Sequence, residues 1–487
     1  MSIQTTRLID SKRRIAVLGG GICGLTAAYR LTKLRPDWSV TLLDANDRLG
    51  GVVGTTQTDG FLIEKSADNF IANAEIPWAR QLCDELGFSD QIIPTNERYR
   101  RAVIWLNGKL HPVPDGFQLM KTSDLTRIFQ SRLLTWRGKL RLAGEKFVAT
   151  KPAGVDGDPN CIADESLASF AIRRLGQEAF ERLVQPLVAG IYTADSRKLS
   201  MNAALPQFVK MEQTAGSLAA AALRDRQRGP IERHGSGARY NQFWTPRHGM
   251  ATFVDAIEQQ LTNVTIRRST TVTSVVRSGD QWRLGFSDQS SDSFDGVISC
   301  LSATASAKIA ADVDPVLASE LAAIEHASSS VVCMGYEKSQ FRDPLTAFGC
   351  VVPAIANRRT IAISFSSMKY PNRAPHGHHL LRVFLGGALQ PEYASLPDDE
   401  TIHLAREEVS TILGVTGDPT FAVVERWANT MPQYHLNHLD RVATIRQRIA
   451  ALPAFELESN GLDGVGIPQR IRAGNEAASR MANCFAK

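Results

Sequence analysis

Gly19-x-Gly21-x-x-Gly24 constrains this chain more than any other feature. The apolar run Arg14-Ile15-Ala16-Val17-Leu18 leads into it, and apolar residues at helical spacing come next at Ile22, Leu25, Ala28 and Tyr29. A second buried run, Val40-Thr41-Leu42-Leu43, then ends at Asp44. Strand, glycine turn, helix and strand in so short a stretch predict a βαβ unit and hence a parallel sheet. Gly19 permits a tight turn, Gly21 lets the backbone approach a pyrophosphate, and Gly24 lets the helix lie close to the strand with its amides aimed at the anion. Asp44 stands twenty residues past Gly24, where a carboxylate accepts hydrogen bonds from ribose hydroxyls. A glycine-rich turn with no ligand is the plainer alternative, but the whole context agrees with a bound dinucleotide.

Composition narrows the rest. The 487 residues include 55 Lys and Arg against 50 Asp and Glu, a net charge of +5 spread along the chain, which is no nucleic-acid signature. No run of about eighteen apolar residues predicts a membrane-crossing helix. Seven scattered cysteines without a CxxC pair argue against a disulfide framework or a metal site and for a reducing compartment. The opening MSIQTTRLIDSKRR lacks an apolar leader core, so the expected location is the cytoplasm.

Later segments return to the first sheet. A helix opens at Gly249-Met250, strands come at 264–266, 271–276, 282–286 and 295–300, and a last helix is expected over about 470–483. Between these returns lie a helix-rich, basic stretch (86–239) and one with strand-like runs at 329–336, 346–352, 360–366 and 380–385. The expected organisation is a discontinuous nucleotide-binding domain (10–85, 240–320 and 440–487) with a mainly helical insertion at 86–239 and a sheet insertion at 321–439. The Ala-rich stretch 215–223 reads as plain helix.

The residues after Asp44 select the dinucleotide. Asp47-Arg48-Leu49-Gly50-Gly51 lets the chain pass close to a cofactor, with Arg48 near its phosphates. With Asp59-Gly60-Phe61 through Asp68-Asn69-Phe70 added, the sequence resembles the FAD-dependent amine oxidase superfamily. Further blocks narrow the resemblance. They are Asn107 to Gly116, Glu165-Ser166-Leu167, Leu187 to Asp195, Phe365-Ser366-Ser367, Pro371 to Pro375, Phe384 to Ala388 and Gly464-Val465-Gly466-Ile467-Pro468. Together they resemble the oxygen-dependent porphyrinogen oxidases of haem synthesis, acting on protoporphyrinogen or coproporphyrinogen III.

The resemblance implies an α/β fold: a Rossmann-like FAD-binding domain of the amine oxidase/p-hydroxybenzoate hydroxylase type, a mixed-sheet substrate domain and a helical domain. It assigns FAD contacts to Gly19, Gly20, Gly21, Ile22, Cys23, Gly24, Asp44, Arg48, Gly51, Val52, Ser66, Ala67, Asp68, Asn69, Val272, Asn460, Val465, Gly466 and Ile467. On the substrate side it points to Arg101, within the cluster Arg98, Arg100 and Arg101, for a propionate. Gly190 is assigned to close backbone approach, and Val351, Ser364 and Phe384 to the apolar walls. No side chain is assigned as an acid or base, because the flavin carries the chemistry. Oxygen as acceptor, haem-pathway neighbours and a homodimer belong to the same implication, without metal or nucleic acid. Of the two substrates, coproporphyrinogen has four propionates and suits a basic pocket mouth, whereas the general resemblance leans to protoporphyrinogen.

The sequence departs from that family where Glu458-Ser459-Asn460-Gly461-Leu462 replaces an Ala-Gly-Asn triplet and its trailing aromatic residue. Ser459 is expected to restrict backbone approach to the flavin. Gln469 stands where Asp is common, and Ser364 where an apolar residue is usual. Two other readings stay open: a desaturase or amine oxidase of the same superfamily, and a silent FAD-binding paralogue. Phe129, Leu133, Trp136, Leu140, Ala143 and Phe147 share one helical face beside Arg132, Lys139, Arg141 and Lys146. That pattern fits both a core-packing helix and a helix lying peripherally on a membrane.

Overall fold

The computed structural model describes residues 12–122, 124–151, 163–227 and 242–485; Cys161, the first eleven residues and the end of the helix-rich stretch lie outside them. A five-stranded sheet gathers strands from distant parts of the chain, in the order Val264–Arg267, Ser39–Leu43, Arg14–Leu18, Gly296–Ser299, Phe455–Leu457. Every neighbouring pair is parallel. Parallel strands covered on both faces read as continuous apolar runs, and the side chains of the first strand divide accordingly. Ile15 and Val17 pack with the helices Ile22–Leu34 and Ile467–Cys484, whereas Ala16 and Leu18 pack on the opposite face with Trp282, Leu284 and Leu317.

Two glycines let those helices close up. A β-carbon on Gly24 would lie 1.9 Å from the Gly19 carbonyl oxygen, and one on Gly474 would lie 2.4 Å from the Cys23 carbonyl oxygen. The C-terminal helix therefore rests directly on the first turn of the opening helix, and it begins three residues before the expected position 470.

A seven-stranded sheet forms the second layer, ordered Phe421–Pro432, His326–Glu337, His378–Gly386, Thr360–Phe365, Gly349–Val351, Ala102–Leu106, Lys109–Pro112. Its pairs are antiparallel except Gly349–Val351 with Ala102–Leu106. Residues 102–112 fall in the stretch expected to be mainly helical, yet they extend this sheet. Their alternation explains why: Ala102, Ile104 and Leu106 face a helical cluster around Phe170, Leu183 and Val188, while Val103 faces the sheet's own core.

Two helical expectations are corrected. The Ala-rich stretch is not one helix: Pro206–Ala215 ends at Gly216 (φ +77°), and a new helix starts at Leu218. The amphipathic segment is not one rod either. Asp124 caps Leu125–Gln130 and Thr135 caps Trp136–Ala143, and each cap side chain accepts a hydrogen bond from an amide of its own first turn. Its expected apolar face is not a core face. Leu133 is buried, but Phe129 (45% exposed), Trp136 (66%), Leu140 (54%) and Phe147 (80%) stand in solvent, while Ile128, Leu134 and Leu142 enter the core.

Candidate cofactor and substrate site

The glycine turn is held by the acid expected to meet a ribose. The Gly20 amide donates to Asp44 Oδ2 (2.6 Å), and the Asn46 amide and Nδ2 donate to Asp44 Oδ1 (2.7 and 3.0 Å). A carboxylate has about four acceptor sites, so capacity for hydroxyl donors remains. The neighbouring turn locks on through Gly50 N–H to the Gly20 carbonyl (2.8 Å). Gly50 and Gly51 there have φ of +100° and +59°, a conformation that favours glycine. Arg48 organises this turn, donating to the carbonyls of Leu49 (3.2 Å), Gly51 (2.8 Å) and Val53 (2.8 Å). Ser66 Oγ donates to the Val52 carbonyl (2.6 Å) and ties in the loop 66–69.

Three observations fit a dinucleotide at this place. A β-carbon on Gly21 meets nothing within 4 Å, so the space beside the helix N-terminus is clear of protein. The opening helix has no side-chain cap, which leaves its first amides to another acceptor. Arg470, buried close to Cys23 of the first turn, binds Asp463 through one nitrogen but has Nε and the other guanidinium nitrogen without a partner among the described residues. Free amides and a part-unsatisfied buried cation suit a doubly charged pyrophosphate. Val272 starts the strand Val272–Ser278, two residues beyond Thr270, whose amide donates to the Asp44 carbonyl (2.8 Å).

The second glycine motif adapts to its substitutions. Ser459 is buried, its backbone is not left-handed, and its hydroxyl accepts from the Gly461 amide (3.1 Å). The side chain therefore bonds within its own turn. The Asn460 carbonyl accepts from Tyr434 OH (2.5 Å). Gln469 folds back over Gly464 and Gly466, where a β-carbon would lie 2.7 and 2.4 Å from its side chain. Gly466 then caps the C-terminal helix and Ile467 begins it.

Between the two motifs and the seven-stranded sheet lies a cavity of about 500 Å³. Of the expected cofactor residues, Val52, Ser66, Ala67, Asp68, Asn69, Asn460 and Val465 line it; of the expected substrate residues, Gly190, Val351, Ser364 and Phe384 do. The Ser364 hydroxyl is buried without a partner among the described residues. Gly190 lies close under the wall, with a β-carbon there 3.6 Å from Val351.

Arg101 is not brought to the cavity: it is exposed, and its carbonyl accepts from the Phe348 amide (2.9 Å). Arg100 comes nearer, through its bond to Thr95 Oγ1 (3.0 Å), a lining residue. Sequence reasoning missed two lining cations, Lys369 and Arg382. Lys369 Nζ lies 2.9 Å and Arg382 3.7 Å from Asp68 Oδ2. Burial raises the Asp68 carboxyl, but these two cations override it and hold the group below the usual carboxylate range. Nearby, Arg373 approaches Glu64 (3.9 Å), whose carboxyl is raised chiefly by burial. A signal for Arg382 existed: it precedes Phe384 by two positions on one strand and so shares its face.

The family model described as flavin containing amine oxidoreductase matches residues 22–482. Coproporphyrinogen III oxidase of Bacillus subtilis (strain 168) is 31% identical over 481 residues, covering 96% of this chain and 98% of that protein. Protoporphyrinogen oxidase of Homo sapiens is 29% identical over 488 residues, covering 96% and 98%. A crystal structure from Exiguobacterium sp. 255-15 superposes with a TM-score of 0.83 at 27% identity, covering 97% of this chain and 99% of that one.

Gly21 and Gly24 should respond differently to substitution. Gly24→Ala forces a β-carbon onto backbone and should cost on the order of 1–3 kcal/mol of stability, read as a lower urea midpoint. Gly21→Val places its β-carbon in open space, so the protein should stay folded and purify colourless. A Gly21→Val protein that carries its full flavin complement would contradict the site.

Proposed function

The chain belongs to the flavin-containing amine oxidoreductases, and on that footing we propose that it uses FAD to oxidise a porphyrinogen, with coproporphyrinogen III as the preferred substrate and dioxygen as acceptor. The observation that carries this reading is the chemistry of the cavity: apolar walls of Leu187, Val331, Val351, Phe348 and Phe384, interrupted by the cations Lys369 and Arg382. A tetrapyrrole with carboxylate substituents has both halves of that description. An amine substrate would bring a further cation to a wall already rich in them, and a polyene would have no use for one. Between the two porphyrinogens, the cations favour the one with four carboxylates, as does the likeness to the coproporphyrinogen III oxidases of Bacillus subtilis and Staphylococcus aureus.

When bound, FAD supplies the electron acceptance that no side chain of this protein can. The chain's part is to hold, orient and dry. The residues that would hold the cofactor are Gly19 to Gly24, Asp44, Arg48, Gly51, Val52, Ser66 to Asn69, Val272, Asn460 and Val465 to Ile467. Amides at the start of the C-terminal helix favour negative charge at that end of the site. Val351 and Phe384 exclude water from the ring system, and Gly190 keeps its wall low enough for a flat macrocycle to approach. Arg100, at the rim, is better situated than Arg101 for a propionate reaching outward.

Aerobic assays of the purified protein on both porphyrinogens, read by porphyrin fluorescence, test the reading. The expected result is kcat/KM at least several-fold higher for coproporphyrinogen III. A reversed preference would overturn the choice of substrate, and no turnover of either by flavin-loaded protein would favour a silent paralogue.

We also propose peripheral membrane contact on a cytoplasmic face through Phe129, Trp136, Leu140 and Phe147. Among the described residues no helix is long and apolar enough to cross a membrane. Arg137 stacks on Trp136 (5.5 Å) and Lys146 on Phe147 (4.8 Å), pairing apolar tips with cations as an anionic lipid surface requires. Trp136→Glu with Phe147→Glu should lower co-sedimentation with anionic vesicles about tenfold and leave turnover intact. Unchanged sedimentation would contradict the contact.

A further inference from the structure

We propose that Lys369 and Arg382 form a seat for one carboxylate of the substrate inside the cavity, an inference that rests on the porphyrinogen reading and names the group this wall recognises.

The charges on this wall do not balance. Asp68 is the carboxylate within reach of both cations, at 2.9 Å from Lys369 and 3.7 Å from Arg382. The next shell supplies no spare carboxylate, since Arg373 stands against Glu64 and Lys65 pairs with Glu425 (3.2 Å). Four cations thus meet three carboxylates. All of Arg373, Arg382, Glu64 and Asp68 are withdrawn from solvent, the side chains of Arg373 and Arg382 almost completely. An uncompensated buried cation is costly, and the cheapest compensation is an anion that enters the same space.

The donors point to the same occupant. Lys369 has three N–H bonds, of which the contact with Asp68 uses one. Arg382 donates to the Ser66 carbonyl, while its buried Nε has no partner among the described residues. Its guanidinium carbon lies 5.3 Å from the centre of the Phe384 ring, which sets the charge against the apolar wall. A carboxylate carried on a flexible ethylene arm can bond the ammonium while its ring system covers Phe384 and Val351. Asp68, itself hydrogen-bonded by Asn69 Nδ2 (2.6 Å), holds the ammonium in place and keeps the seat from binding every anion strongly. Lys369 and Arg382 act here in substrate recognition; nothing in the arrangement gives them a proton to move.

Equilibrium titration of the flavin-loaded protein with coproporphyrin III and with its tetramethyl ester, monitored by fluorescence quenching, separates charge from ring packing. Lys369→Met should raise the Kd of the free acid tenfold or more and leave the ester within about twofold. Lys369→Arg should recover most of the difference. Asp68→Asn, which enlarges the cationic excess, should tighten the acid selectively, and it decides the matter if Lys369→Met fails to fold or load flavin. In turnover, Lys369→Met should raise KM more than it lowers kcat. An acid-to-ester preference unchanged in both Lys369→Met and Asp68→Asn would overturn the seat. Wild-type protein that prefers the acid in this way but oxidises no porphyrinogen would instead overturn the function while leaving the seat standing.

Discussion

A backbone contact with no room for a side chain governs this molecule. The first turn of the helix Ile22–Leu34 lies so close to the glycine turn before it that a β-carbon at Gly24 would sit 1.9 Å from the Gly19 carbonyl oxygen. That closeness aims the helix amides at the space beside Gly21. It also sets the platform on which the C-terminal helix rests, through the similarly close approach of Gly474 to Cys23. Because the C-terminal helix is seated there, its leading segment Asn460 to Ile467 arrives at the same end of the parallel sheet. The turn at Val52 and the segment holding Asn460 and Val465, more than four hundred residues apart, thus border one cavity, while Gly19 to Gly24 lie outside its lining.

The second organising constraint is electrostatic. The cavity wall is mainly apolar, so the few charges on it weigh heavily, since desolvated charges interact more strongly and cost more when unpaired. Asp68 ties together two parts of the cavity wall: its neighbours Ser66 and Ala67 line one part, while its cation partners arrive from the seven-stranded sheet and the short helix Ser366–Lys369. A change at this carboxylate should therefore be felt in both parts of the wall.

Local chemistry was legible in the sequence, as was the return of 264–266 and 295–300 to the first sheet, but the assembly of the second sheet was not. The strand, turn, helix and acid of the first unit are set by neighbours, and they stand within a residue of expectation at Arg14–Leu18 and Ser39–Leu43. The position of residues 102–112 in the seven-stranded sheet depends on pairing with Gly349–Val351, some two hundred and fifty residues away, which no local pattern encodes. The apolar face of Phe129, Trp136, Leu140 and Phe147 was visible as a pattern, but the caps at Asp124 and Thr135 break the rod and turn those residues to solvent. At Ser459 the hydroxyl accepts from the Gly461 amide, a contact that no local sequence pattern announces. The resemblance pointed to Arg101, whereas the cations on the cavity wall are Lys369 and Arg382, which pair with Asp68 across three hundred positions.

The central claim is that one cavity brings bound flavin and a carboxylate-bearing porphyrinogen together. Anaerobic mixing of the purified, flavin-loaded protein with coproporphyrinogen III tests it most directly, with the visible flavin absorbance recorded over time. The account predicts bleaching of the flavin band on mixing and its return, together with porphyrin absorbance, when air is admitted. A flavin band that stays unchanged in folded, loaded protein would contradict it.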